Sequence, residues 1–182
     1  MSIIVEGPDG GGKTTLIEQL KGAIPELREM SRFCTSTGGP HDNLFEEVTA
    51  RLHQLAIPYA IFDRHPLWSE YVYQQALGRQ MIDAFYDGSA SVAHSLLEEH
   101  AMVIVCLPGV EVVRERLRAE EQLADVEYAI DDIYERYLTR VSQFTGTAFV
   151  YEGLPDQFEA LCAFVRAHIV IRTRANEEAI SE

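Results

Sequence analysis

Residues Gly7-Pro8-Asp9-Gly10-Gly11-Gly12-Lys13-Thr14 follow the apolar run Ile3-Ile4-Val5 and lead into Thr15-Leu16-Ile17-Glu18-Gln19-Leu20. The octapeptide satisfies G-x-x-x-x-G-K-[ST], and it sits where that pattern has physical meaning, between a strand and a helix. Glycines there let backbone N–H groups converge on phosphate oxygens, because a chain without Cβ atoms takes the needed dihedrals and approaches closely. The helix N-terminus behind the turn adds partial positive charge. Gly7, Asp9, Gly10, Gly11, Gly12, Lys13, Thr14 and Thr15 are therefore the candidate phosphate-binding residues. Lys13 is expected to reach the β- and γ-phosphates of a bound nucleotide, and the Thr14 hydroxyl to ligate Mg²⁺.

Outward from this turn, short apolar runs alternate with longer segments of helical period, the signature of an α/β fold with a parallel sheet flanked by helices. The sequence predicts five strands, near 2–6, 32–35, 59–63, 102–107 and 148–151. It predicts helices over 13–21, 44–54, 68–77, 90–99, 110–120, 128–144 and 157–168. The chain has 182 residues, enough for one domain of ordinary size, here 1–170, with 171–182 expected to form a frayed tail from Arg172 onward.

Hydrophobic residues make up 47% of the chain and charged residues 24%, which is globular composition. A formal net charge of −14 argues against a nucleic-acid-binding surface, which needs a basic stripe. A small anionic ligand needs only a local cluster of cations and remains compatible. No apolar run is long enough for a bilayer and no signal-peptide pattern opens the chain, so a cytoplasmic protein without a membrane partner is expected. Cys34, Cys106 and Cys162 lack metal-ligand spacing and are expected to be reduced, small apolar residues.

A second informative stretch is Ala60-Ile61-Phe62-Asp63-Arg64-His65-Pro66, an apolar strand ending in an acid and a base. Ligands of open parallel sheets gather beyond the carboxyl ends of the strands, so Asp63 and Arg64 should face the same crevice as the first loop. Asp63 is suited to hold Mg²⁺ through water or to polarise an attacking oxygen. Arg64 is suited to grip a phosphate with its guanidinium fork.

These segments, with Glu6 before the loop, Ser69 and Tyr73-Gln74 after Arg64, and Tyr134 with Tyr137-Leu138 in a late helix, resemble the thymidylate kinase family of P-loop nucleoside monophosphate kinases, especially the divergent members carried by bacteriophages. The resemblance implies a P-loop NTPase fold with a short lid, about 114–127, and transfer of the γ-phosphoryl of ATP, with Mg²⁺, to a deoxynucleoside monophosphate. It implies that Asp9 contacts the acceptor's 3′-hydroxyl, that Arg64 binds its α-phosphate, and that Tyr73 crowds the place of a ribose 2′-hydroxyl. A homodimer is expected on the same ground, and a host-cell cytoplasm if the source is a phage.

The chain departs from the family pattern in three places. One extra residue separates Asp63 from Ser69, Ser36-Thr37-Gly38-Gly39-Pro40 replaces a familiar R-E-P, and Glu70 follows Ser69 where relatives often present an amide to a pyrimidine. A carboxylate only accepts hydrogen bonds, so Glu70 suits a base edge with two donors, such as N1–H and the 2-amino group of guanine. Trp68 and Tyr71 are further candidates for stacking on the base. After the turn Pro108-Gly109, Arg114, Arg116 and Arg118 are candidates to neutralise transferring phosphoryl oxygens from the lid. Helical spacing puts Arg114 and Arg118 on one face and Arg116 on another. Gly11 stands where one subgroup of the family carries an arginine, so the catalytic arginine is expected from the lid.

The catalytic set expected from the sequence is Lys13, Asp63, Arg64, Arg114 and Arg118. Two other functions share these features: a deoxynucleoside kinase, for which Arg64 has no phosphate to bind, and a nucleotide-responsive binding module, which leaves Asp9 and the lid arginines unexplained.

Overall fold

A computed structural model of the chain describes residues 1–34, 43–79, 88–119 and 124–180. Five strands form one all-parallel sheet: β1 (Ser2–Glu6), β2 (Arg28–Glu29), β3 (Ala60–Asp63), β4 (Ala101–Cys106) and β5 (Thr147–Tyr151). Their spatial order is β2-β3-β1-β4-β5. Among the described residues eight α-helices flank the sheet: α1 (Lys13–Ala23), α2 (Leu44–Arg51), α3 (Pro66–Ala76), α4 (Gly88–His100), α5 (Val110–Ala119), α6 (Ala124–Tyr128), α7 (Ile130–Gln143) and α8 (Gln157–Ile180).

Side chains of successive strand residues point to opposite faces, and the sequence fills both with apolar groups. Ile3, Val5, Ile61, Met102 and Ile104 pack with Leu16 and Leu20 of α1 and Leu161 and Val165 of α8. Ile4, Phe62, Val103 and Val105 pack on the other face with Val48, Trp68, Leu97 and Tyr137, from α2, α3, α4 and α7. Central β1 pairs with β3 from Ile3 to Val5 and with β4 from Ser2 to Glu6. Chain order reverses direction at β1, and the crevice beyond its carboxyl end is where such sheets bind ligands.

Four of the five predicted strands appear near their places. The second does not: residues 32–34 are not a strand of the sheet, and the edge strand is Arg28–Glu29, paired with Ala60 and Ile61. Two exposed charged residues carry no apolar signal, but an edge strand tolerates them because one side of its backbone faces water. The helix predicted over 44–54 ends at Arg51 and continues as a 3₁₀ turn, Leu52–Ala56. The helix predicted over 128–144 is two, breaking at Ala129. α3 starts two residues early, since Pro66 fills its first turn and His65 Nδ1 accepts from the Leu67 N–H at 3.3 Å. α8 runs on to Ile180, past the predicted end at 168. Ser36 to Pro40, residues 120–123 of the expected lid, and residues 181–182 lie outside the described residues.

No described helix is long and apolar enough to cross a membrane. All three cysteines are free, and Cys106 and Cys162 are buried.

Candidate active site

The loop after β1 is folded as its glycines require. Gly7 has φ +137, and a Cβ there would lie 2.4 Å from the Cys106 carbonyl oxygen, so no other residue fits. A Cβ at Gly11 would stand 2.9 Å from the Pro8 carbonyl oxygen. The loop therefore has no room for an arginine at 11, and any charge of that kind has to come from elsewhere. Lys13 is only 9% exposed, and its ammonium donates to the Pro8 carbonyl at 2.7 Å. Burial, reinforced by nearby Arg64, pulls the Lys13 pKa down from 10.5 to about 8.

Loop and strand ends open onto a cleft of about 1800 Å³. Asp9, Gly10, Gly11, Gly12, Lys13, Thr14 and Thr15 line one part of it, with the side chains of Thr14 and Thr15 exposed. Asp63, Arg64, Ser69, Glu70 and Tyr73 line another. Most residues singled out in the sequence are thus brought to one place, and Gly7 shapes the turn beneath them.

Arg64 has φ +66, a left-handed conformation uncommon for a residue with a Cβ. Its backbone N–H donates to the Val5 carbonyl at 3.0 Å, which pins the turn to β1. From there Arg64 Nη2 donates to Asp9 Oδ1 at 2.6 Å and to the Tyr73 hydroxyl at 2.8 Å, and that hydroxyl donates to Asp9 Oδ2 at 3.0 Å. The three side chains form a closed triangle. Burial pulls Asp9 upward, but Arg64, Lys13 and the Tyr73 hydroxyl outweigh it and hold the carboxyl below its usual value. Asp63 is paired with Arg32, a contact absent from the sequence-based expectation. Arg79 also lines the cleft.

Glu70 lies in the second turn of α3, facing the cleft, and accepts from Gln74 Nε2 at 3.0 Å. Burial raises its pKa, partly offset by that hydrogen bond. Ser69 Oγ donates to the His65 carbonyl at 3.3 Å. Trp68 is a correction: it is 1% exposed, packed edge-on against Phe144 at 4.7 Å with the Arg140 guanidinium over its ring, and it does not line the cleft. One position earlier than Ser69 on α3, its side chain turns into the core. Tyr71 likewise stays outside the cleft, beneath the Arg140 guanidinium.

The arginines expected to act from a lid sort differently from the sequence expectation. Arg114 is held by Glu111 and by Asp131, 2.6 Å from Nη2, and Arg118 lies 3.9 Å from Glu127. Both line a separate hollow of about 270 Å³. Arg116 is the one that reaches the cleft, where its Nη1 donates to the Gly10 carbonyl at 3.1 Å. The core stripe of α5 is Val113 and Leu117. Arg116 shares one flank of that stripe with Val112, which also lines the cleft, while Arg114 and Arg118 share the other. The i, i+4 pair Val112 and Arg116 was the signal in the sequence, but the sequence does not say which flank faces the loop.

Among solved structures the fold is similar to YorR from Bacillus subtilis in complex with phosphorylated GDP: 19% identity, 96% of this chain and 98% of that one, TM-score 0.70. It is also similar to deoxyadenosine kinase from M. mycoides. With bound dCTP the match has 14% identity, 92% of this chain and 100% of that one, TM-score 0.58. With products dCMP and a flexible dCDP it has 16% identity, 97% and 100%, TM-score 0.58. No protein-family model and no curated protein matches the chain. The sheet order, the loop after β1 and these similarities give the chain the P-loop NTPase fold found in nucleotide kinases.

Proposed function

We propose that the chain is a deoxynucleoside monophosphate kinase of the thymidylate kinase kind, transferring the γ-phosphoryl of ATP to the phosphate of a deoxynucleotide. The observation that carries this is the triangle of Asp9, Arg64 and Tyr73, which ties a carboxylate of the phosphate-binding loop to a guanidinium just after β3 and an aromatic hydroxyl on α3. Loop amides and Lys13 take the triphosphate. Arg64 takes the acceptor phosphate, Asp9 the 3′-hydroxyl, and Tyr73 fills the space a ribose 2′-hydroxyl needs. Arg116, rather than Arg114 or Arg118, neutralises charge on the transferring group. The exposed Thr14 hydroxyl and the Asp63 carboxylate, once it is released from Arg32, are hard oxygen donors that would fit Mg²⁺, which when bound would supply charge neutralisation on the phosphates. Holding donor and acceptor end to end contributes much of the acceleration, and the transfer needs no covalent intermediate.

Glu70 supports a 2-aminopurine base, with guanine first. One carboxylate oxygen is fixed by Gln74, and the group can only accept hydrogen bonds while ionised, so thymine is poorly matched. A mismatched polar edge leaves buried groups unpaired and is rejected by orders of magnitude.

The specific observation favouring a second function, a deoxynucleoside kinase, is that Asp9 already neutralises Arg64. The further guanidinium groups that line the cleft, Arg79 and Arg116 besides the Asp63-paired Arg32, argue for an anionic acceptor instead. One assay separates the two: ATP with dTMP, dGMP, dAMP, dCMP, dUMP and GMP, beside thymidine and deoxyguanosine. The expected result is transfer to deoxynucleotides, dGMP foremost, with Glu70→Gln depressing dGMP turnover far more than dTMP turnover. Phosphorylation of the nucleosides alone would overturn the proposal.

A further inference from the structure

Glu6 is a carboxylate with no exposed surface at the carboxyl end of the central strand, directly beneath the loop. A charge so placed is retained only if it is fully hydrogen-bonded and compensated. Both its oxygens are used. Oε1 accepts from the His65 backbone N–H at 2.7 Å, and Oε2 accepts from the Tyr137 hydroxyl at 3.0 Å. His65 immediately follows Arg64, the residue in the left-handed conformation, and caps α3. The Tyr137 ring stands edge-on to the Tyr73 ring at 6.4 Å, and the Tyr73 hydroxyl is bonded to both Arg64 and Asp9. Two routes therefore run from Glu6 to the Arg64 guanidinium: one through the backbone of the turn, the other through two tyrosine rings from α7 and α3.

We propose that Glu6 is a positioning residue that fixes the Arg64 turn and, on the function proposed above, thereby sets affinity for the acceptor phosphate rather than for ATP. The carboxylate holds the amide after Arg64 and the hydroxyl behind Tyr73 at once, and a guanidinium misplaced by about 1 Å loses the geometry a phosphate requires. Glu6 also lies close enough to Arg64 and Lys13 to feel both charges, while burial lifts its own pKa to about 7. Lys13, by contrast, is held by Pro8 within its own loop and does not depend on either route.

Glu6→Gln keeps the shape and one acceptor while removing the charge and the second acceptor. It is expected to raise the acceptor KM about tenfold and leave the ATP KM within about twofold, the split that loss of a ground-state contact to one substrate produces. In the ligand-free protein the Arg64 side-chain N–H resonance should shift or broaden, a readout that needs no turnover. Tyr137→Phe, which cuts only the ring route, should move both readouts the same way by a smaller amount, and it decides the matter if the Gln variant does not fold. An unchanged Arg64 resonance in a folded variant would overturn the proposal, as would equal changes in the two KM values. If the wild-type protein transfers phosphate to no monophosphate, the proposed function fails while the resonance still decides the role of Glu6.

Discussion

Replacing Lys13 by methionine should abolish phosphoryl transfer and make the empty protein more stable. The ammonium is buried, and its pKa falls from 10.5 to about 8 through burial first and the Arg64 charge second. A depression of that size corresponds to roughly 3 kcal/mol against the folded, charged form. Below pH 8 the penalty is complete. Between 8 and 10.5 it shrinks, because the folded protein has already released the proton that the unfolded chain still holds, and above 10.5 it vanishes. Methionine fills similar volume without charge. The Pro8 carbonyl that Lys13 engages also accepts from the Gly11 N–H at 3.1 Å, so the substitution leaves no orphaned acceptor. With part of the gain lost to the missing hydrogen bond, Lys13→Met should stabilise the ligand-free protein by about 2 kcal/mol at pH 7, or about 4–8 °C in Tm for a domain of this size. Urea unfolding at pH 7 and at pH 10 measures this, and the difference between wild type and variant should narrow at the higher pH. A variant less stable than wild type at pH 7 would refute the reasoning, as would a gap that widens with pH.

Arg116→Ala should lower kcat by about 10²–10³, the range for removing one donor to a developing charge, whereas Arg114→Ala should stay within about threefold; steady-state turnover on saturating dGMP compares them, and the reverse ranking would return the catalytic role to the other flank of α5. His65, 1% exposed, is held neutral by burial, with Arg51 and His94 adding to the effect, and its pKa falls from 6.5 to about 3. The unfolded chain takes up this proton first, so stability present above pH 6.5 is lost as pH falls toward 3, by roughly 3 kcal/mol at pH 4. His65→Asn keeps a cap acceptor without the titration, so its denaturant midpoint should fall less steeply between pH 6.5 and 4; parallel slopes would assign the acid sensitivity to other groups.

What was legible in the sequence was what is local. The run from Ile3 to Leu20 carries strand, turn and helix in immediate succession, and each part constrains the next, so β1, the loop and α1 could be placed to within a residue or two. Arg64 was legible for a similar reason, since a basic residue at the carboxyl end of a buried strand has few places to point. β2 was not, because a two-residue edge strand is defined by its pairing with Ala60 and Ile61 and not by its own side chains. Arg116 was not, because the stripe of Val113 and Leu117 leaves two equivalent flanks, and only the packing of α5 chooses between them. Trp68 looked like a base-stacking residue because aromatic side chains serve core and cleft equally well. Glu6 gave no sign of its role, since its partners lie 59 and 131 residues away along the chain.

On the proposed function, the charges gathered at the cleft explain how an acidic chain would hold two anions. Glu6, Asp9, Lys13 and Arg64 balance one another in the empty site, which avoids the several kcal/mol that an uncompensated buried guanidinium would cost. An arriving phosphate consequently does not meet a bare cation. A phosphate that takes Arg64 Nη2 removes one of the two donors to Asp9, the Tyr73 hydroxyl remaining, and the exchange is more favourable if Asp9 gains another donor at the same moment. On the proposed function the donor is the sugar hydroxyl of the same molecule. Phosphate and sugar are then recognised together: inorganic phosphate satisfies Arg64 but leaves Asp9 with the Tyr73 hydroxyl alone, and a nucleoside satisfies Asp9 but brings Arg64 no new anion. On the proposed function the triangle holds with nothing bound and yields most readily to a ligand that carries both groups at the right separation, so an ion pair that looks like self-inhibition would act as the selectivity device of the acceptor site.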